Sequence, residues 1–335
     1  MLRLHGYWYI AAPADELGRT PVRREVEGET LVLFRDGEGR PRALRDRCAH
    51  RGMALSHGRV EQGCLRCPYH GWRYDGEGRL REIPALPPGD PLPQTSMRPF
   101  PVVEQEGHLW VWIGEGVPTH PPFRFPHYGE EGWSTFFMHT RFEAPVEPCL
   151  ENFLDVPHTI YVHPGLFRGA APASTRARVT RTSDSVVAEF LDEAPMKGIG
   201  PRLVFPRGTT MRHTDRFLLP SISRVDYTFG ESGFVITSQC TQREEYVVDV
   251  TTAIAWNLPL PPWVTGPFLR WYCRRVIRQD VDILKIHGDQ LRRFGRAQVH
   301  TSADLLGRHI SALRRRAAEG GESLEDIALE TVLRI

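Results

Sequence analysis

The sequence has no long hydrophobic run. No stretch approaches the roughly 18 to 20 apolar residues that a membrane span needs, so no membrane partner is expected. It also has little net charge. Lys+Arg total 42 and Asp+Glu 41, a formal charge of +1, so no long-range field steers the chain toward nucleic acid or an anionic surface. Lysine is nearly missing: only Lys197 and Lys285 occur, with arginine in its place. That bias reads as genomic base composition and carries no function. The opening residues, MLRLHGYWYIAAPADELG, lack a charged segment followed by a long apolar one, so a signal peptide is not expected. A cytoplasmic location is the expectation. Internal repeats and low-complexity segments are also missing. Cysteines are few, six in all (Cys48, Cys64, Cys67, Cys149, Cys240, Cys273). In a reducing compartment, clustered cysteines hold metal or do chemistry more often than they form disulfides.

What is present is an ordinary globular composition, 41% hydrophobic and 25% charged, over 335 residues. That length suits one large domain or two of common size. The first 115 or so residues read as all-β. TLVLFR (30–35), the turn Asp36-Gly37-Glu38-Gly39 and PRALRD predict a hairpin, with a second around Tyr74 to Arg79. HLWVWIG (108–114) alternates as a strand. The proline-rich stretch from Val117 to Pro126 then reads as a linker. The expected organisation is one domain over 1–117, a linker over 118–126 and a second domain over 127–335.

The second part reads as α+β. STFFMHTRFEA (134–144) predicts a strand, and Val146–Val156 a short helical region. Alternating segments follow at 176–191, 209–219, 221–229, 233–242 and 245–256, which suggests one antiparallel sheet. A long helix is expected at about 264–294 and another near 302–318. Arg292, Arg293 and Arg314 to Arg316 read as solvated helix face rather than a docking patch for an acidic redox partner.

Two constellations carry chemistry. The first is Cys48-Ala-His50 followed by Cys67-Pro-Tyr-His70-Gly-Trp72. Two loops, each offering one thiolate and one imidazole, suit a two-iron cluster in which cysteines bind one iron and histidines the other. Zinc also accepts two cysteines and two histidines, and Cys64-Leu-Arg-Cys67 offers a decoy pair. Zinc fingers, however, usually pair cysteine with cysteine and histidine with histidine along the chain. Here the order is Cys-His, Cys-His, and Cys64 is taken as a non-ligand.

The second constellation is Asn152-Phe-Leu-Asp155-Val-Pro-His158-Thr-Ile-Tyr-Val-His163. Two histidines and one carboxylate form the facial triad of non-heme iron(II) oxygenases, which leaves positions open for oxygen or water. On a straight helix, residues five apart diverge by about 140°, so Pro157 is expected to distort the helix and let both rings converge. Asp155 is near in sequence, but Asp280 is the better carboxylate. It falls on a stripe of the long helix with Leu269, Cys273, Val276, Ile283, Leu284, His287 and Leu291. A core-facing carboxylate needs a partner, and a metal is one; a buried salt bridge is the alternative. Asp282 lies about 160° round the helix and should face solvent.

These motifs resemble the oxygenase (α) subunits of Rieske non-heme iron ring-hydroxylating oxygenases, in particular their compact homotrimeric branch of O-demethylases and methyl-monooxygenases. The resemblance implies an N-terminal all-β Rieske domain and a C-terminal helix-grip domain, an antiparallel sheet with a long C-terminal helix. It implies that Cys48, His50, Cys67 and His70 hold a [2Fe–2S] cluster and that His158, His163 and Asp280 hold a mononuclear Fe(II). Asp155 would bridge His158 and His70 of a neighbouring subunit, and Asn152 would lie near the iron. The implied reaction is O2-dependent monooxygenation of a small aromatic substrate, with electrons from NAD(P)H through a reductase or ferredoxin. Cis-dihydroxylation is the runner-up and a Rieske ferredoxin the distant alternative. The sequence His287-Gly288 departs from the more polar helix of many relatives.

Overall fold

The computed structural model describes residues 2–166, 174–193, 210–296, 299–321 and 324–334. The chain divides into two compact units. One comprises residues 3–124 with 241–244, the other residues 1–2, 125–240 and 245–335.

The first unit is built from eleven short strands: β1 (Tyr7–Pro13), β2 (Val22–Val26), β3 (Glu29–Arg35), β4 (Pro41–Arg45), β5 (Arg59–Glu61), β6 (Cys64–Arg66), β7 (Arg73–Tyr74), β8 (Leu80–Glu82), β9 (Pro99–Phe100), β10 (Val102–Gln105) and β11 (His108–Ile113). They form three antiparallel sheets, β1-β11-β10, β2-β3-β4-β9 and β5-β6-β7-β8. Strand β3 shows why two cores exist. Successive side chains point to opposite faces, and both faces are apolar. Leu31 and Leu33 join Tyr9, Leu109 and Val111 in one core. Val32 and Phe34 join Leu65, Tyr74, Cys48 and Cys67 in the other. The two cysteines thus sit on a packed floor.

The second unit contains an eight-stranded sheet. Its strands are β12 (Ser134–Phe142), β13 (Ser174–Arg181), β14 (Ser185–Phe190), β15 (Met211–Leu218), β16 (Ile222–Phe229), β17 (Ser232–Glu244), β18 (Val247–Asn257) and β19 (Ile327–Arg334). The order is β12-β18-β17-β16-β15-β14-β13-β19. The expected α+β architecture is therefore present. The segment 176–191 is two strands joined by a turn, and β19, not anticipated, pairs antiparallel with β13.

Among the described residues, four α-helices accompany the sheet: α1 (Val146–Phe153), α2 (Thr159–Val162), α3 (Pro262–Phe294) and α4 (Gly307–Glu319). Helix α3 starts on Pro261-Pro262, where proline lacks only an N–H the first turn does not use. It ends at Gly295, whose φ of 76° suits glycine. Its buried positions are Thr265, Gly266, Leu269, Cys273, Asp280, Leu284, Gly288 and Leu291.

Two expectations for the helices need correction. Ile283 and His287 are exposed, because the helix rests on the sheet along a narrower stripe than the apolar pattern suggests. Gly288 takes the buried place instead. A Cβ there would stand 2.1 Å from the carbonyl oxygen of Glu143, so the helix lies directly on the backbone that leaves β12. Arg314 is likewise not solvated. It is 1% exposed, donates to the Pro220 carbonyl, and its Nε lies 3.7 Å from Glu147 Oε1.

Candidate metal centres and substrate cavity

In the first unit, the loops after β4 and β6 close in the same way. Cys48 N donates to Met53 O and Gly52 N to Cys48 O, both at 2.8 Å. Cys67 N donates to Trp72 O at 2.8 Å and Gly71 N to Cys67 O at 3.2 Å. Each tight turn is completed by a glycine of positive φ, Gly52 at 72° and Gly71 at 71°. The two loops bring His50 and His70 together, with ring centroids 4.6 Å apart, while Trp72 stacks on His50 at 4.7 Å and 2°. Both cysteines are buried, and His70 lies exposed beside Tyr69.

The donor set fits a Rieske cluster. His50 Nδ1 is buried and has no hydrogen-bond partner among the described residues, the state expected of an atom reserved for a metal. Burial also pushes the Cys67 thiol above its ordinary value. Coordination as thiolate would reverse that cost. Cys64 sits in β6 opposite Glu61.

In the second unit, the chain from 146 to 163 is a broken helix. Helix α1 stops at Phe153, a 3-10 turn spans Val156–His158 with Pro157 inside it, and α2 resumes at Thr159. The break lets two histidines five residues apart converge. His158 Nε2 and His163 Nε2 are 3.3 Å apart. Asp280 Oδ1 lies 3.1 Å from His163 Nε2 and 3.7 Å from His158 Nε2. The three ligand atoms all fall within 4.8 Å of one another. Three ligands at right angles around a first-row metal, each about 2.1 Å from it, stand about 3 Å apart, so this spacing fits a facial site.

The outer nitrogens point the same way. His163 Nδ1 is 2.9 Å from Gln279 Oε1. An amide oxygen only accepts, so Nδ1 carries the hydrogen and Nε2 keeps its lone pair. His158 Nδ1 likewise donates to the Asp155 carbonyl, while the Asp155 carboxylate stands 3.9 Å away. Asn152 Nδ2 donates to Asp280 Oδ1 at 2.9 Å. Burial raises the Asp280 carboxyl, but the polar groups that face it, the His158 and His163 rings and the Asn152 amide, outweigh it and hold the group below its ordinary value. Asp155 is raised, chiefly by burial. Gln279 was missed in the sequence because glutamine next to a ligand has no distinguishing pattern.

A cavity of about 120 Å³ opens beside the triad. Met138, Val225, Phe234, Ile236, Ile254 and Ile277 give it an apolar wall, and Cys273, pushed up to about 12 by burial, contributes a neutral thiol. Other large apolar residues of the sheet, Met211, Phe217 and Trp256, pack in cores instead.

One cluster in the wall went unread. His213 Nδ1 is 2.6 Å from Glu193 Oε2, and its Nε2 is 2.9 Å from Asp215 Oδ1. Burial lowers the His213 pKa, but the charges and hydrogen bonds of Asp215 and Glu193 outweigh that and raise it to about 9. The signal was there. Met211, His213, Asp215 and Phe217 alternate on the buried face of β15, which sets two polar residues among apolar ones.

Comparison with known proteins agrees with this arrangement. Residues 7–104 match the Rieske [2Fe-2S] domain, and residues 142–251 the vanillate O-demethylase oxygenase C-terminal domain. The chain thus carries a Rieske domain followed by a vanillate O-demethylase-type oxygenase domain.

Chlorophyllide a oxygenase of Chlamydomonas reinhardtii is 37% identical over 50% of this chain and 26% of its own length. The toluene-4-sulfonate monooxygenase system iron-sulfur subunit TsaM1 of Comamonas testosteroni is 31% identical over 52% of this chain and 50% of its own. The matches thus span half or less of these relatives. A crystal structure of dicamba monooxygenase bound to dicamba superposes with a TM-score of 0.76, covering 95% of this chain and 98% of that one at 22% identity, a likeness of fold. No helix among the described residues is long and apolar enough to cross a membrane.

Proposed function

We propose that this chain is the terminal oxygenase component of a Rieske oxygenase system, catalysing O2-dependent monooxygenation, by hydroxylation or oxidative demethylation, of a small aromatic substrate. The observation that carries this reading is the convergence of His158, His163 and Asp280 beside an apolar cavity, in a chain that also carries the paired Cys-His loops. Cys48, His50, Cys67 and His70 would hold the [2Fe–2S] cluster, and the triad an Fe(II). When bound, the cluster supplies single electrons and the Fe(II) activates O2.

The chain's own residues supply position. Gln279 and the Asp155 carbonyl fix the two imidazoles with Nε2 inward, and Asn152 holds Asp280. The apolar wall seats a ring beside the triad and keeps bulk water from it. Electrons would come from NAD(P)H through a separate reductase or ferredoxin to the cluster. The assembly is a homotrimer in the cytosol, in which the Asp155 carboxylate, not spent on His158, would reach His70 of the next chain. The six cysteines are free, as a reducing compartment requires.

The test is iron, zinc and acid-labile sulfide per chain on anaerobically purified protein, with a visible spectrum. About three irons and two sulfides without zinc are expected, followed by substrate-dependent O2 uptake with a surrogate reductase. Zinc without sulfide would end the reading.

A further inference from the structure

The cavity wall holds an acidic cluster that takes no part in the metal site. His213 and Asp215 line the cavity, and Glu193 completes the group. Both ring nitrogens of His213 meet carboxylate oxygens. A neutral imidazole has a single N–H and would turn a lone pair on one of them, so His213 is the imidazolium. Its ring is held face to face between Phe190, at 4.4 Å and 14°, and Tyr227, at 4.3 Å and 18°, where π faces favour a cation.

Two carboxylates and one imidazolium leave one negative charge over. Asp215 is 1% exposed. His213 uses its Oδ1, and its Oδ2 has no hydrogen-bond partner among the described residues. Such an oxygen is costly until a donor reaches it. The wall offers none with a charge: no lysine or arginine lines the cavity among the described residues. The Ser238 and Thr252 hydroxyls bond each other at 2.9 Å, which uses one of their two protons.

We propose that Asp215 is a substrate-recognition residue whose carboxylate accepts a hydrogen bond from an amine or hydroxyl of the substrate, so that the site favours donor-bearing aromatic substrates and rejects carboxylates and sulfonates. This rests on the oxygenase reading above for the cavity's role. His213, buttressed by Glu193, Phe190 and Tyr227, fixes the carboxylate in place, and an anionic substituent would meet its unbalanced charge.

The test is calorimetric titration of the purified protein with 4-methoxybenzylamine, 4-methoxybenzyl alcohol and 4-methoxybenzoate, probes that differ only at one end. Affinity should fall in that order, with amine and benzoate separated by on the order of tenfold or more. In Asp215→Asn, checked for folding by its thermal midpoint, the amine should lose on the order of tenfold and the benzoate should gain. Glu193→Gln, which removes the excess charge but leaves Asp215 as an acceptor, should keep the amine and alcohol ahead of the benzoate while narrowing the gap between them. A wild-type preference for benzoate, binding of none of the probes, or an unchanged amine preference in folded Asp215→Asn overturns the proposal. The wild-type series needs no variant to fold. Binding is read without turnover, so iron and sulfide analysis of the same sample separates the two claims. Absent metal with the amine preference intact would remove the oxygenase reading and leave Asp215 in its role.

Discussion

A carboxylate only 6% exposed, as Asp280 is, is costly unless something positive meets it. Two neutral imidazoles and an amide N–H offer dipoles, and a divalent metal offers the charge. Asp280→Ala should therefore lose the mononuclear metal while the visible spectrum of the cluster persists; metal analysis of the folded variant checks it, and retained iron at that site would remove Asp280 as a ligand. Gln279 acts one bond further out. Gln279→Leu should keep His163 in place but free its Nδ1, weakening metal affinity by about 10–100-fold, measured by competition with a chelator. At His213 the pKa is raised from 6.5 to about 9. A raised value means that the imidazolium's contribution is complete below pH 6.5 and is lost as pH climbs through 9. The gap corresponds to about 3 kcal/mol. The thermal midpoint should fall across that window in the wild type and stay nearly flat in His213→Gln.

Among the elements, what was legible was what is local. His158 and His163 lie five residues apart with Pro157 just before the interval, so the break that joins them is written within seven residues. Asp280 declared itself by standing on an apolar stripe. Helix α3 was readable because thirty-odd residues of periodic pattern end on a glycine. Contacts set by tertiary approach were not readable. Gly288 looked like a departure from a polar helix, and only the packing of α3 on the carbonyl of Glu143 explains it. Arg314 looked solvated because arginine usually is, and Glu147, a residue 167 positions earlier, turned it inward. Ile327, Leu329, Thr331 and Leu333 of β19 do alternate onto one face, but local alternation does not name the edge of β13 as the partner. Gly288→Ala should therefore cost about 1–3 kcal/mol, since the carbonyl 2.1 Å from the added carbon belongs to backbone and the helix must move. Chemical denaturation measures the cost, with Gly18→Ala, at an exposed glycine without positive φ where an added Cβ meets nothing within 4 Å, as the surface comparison.

On the scale of the whole molecule, the two proposed metal sites belong to separately packed units, each with its own core. A variant that disables one site should leave the other chemically intact. The proposed trimer makes a sharper claim, because the Asp155 carboxylate would serve the His70 of another chain. If electrons pass between neighbouring chains, a cluster-defective His50→Ala chain and an iron-defective Asp280→Ala chain should each be inactive alone yet complement each other when co-expressed. Random assembly would restore about a quarter of wild-type turnover, the chance that a chain with an intact triad stands next to one with an intact cluster. If electrons instead stay within a chain, every subunit in the mixture carries one broken site and the mixed oligomers remain inactive. Turnover of differently tagged, doubly purified mixed trimers, expected at about a third of wild type because each has one such junction in three, decides between the two routes, and adding Asp155→Asn to the chain with the intact triad should abolish the recovered activity.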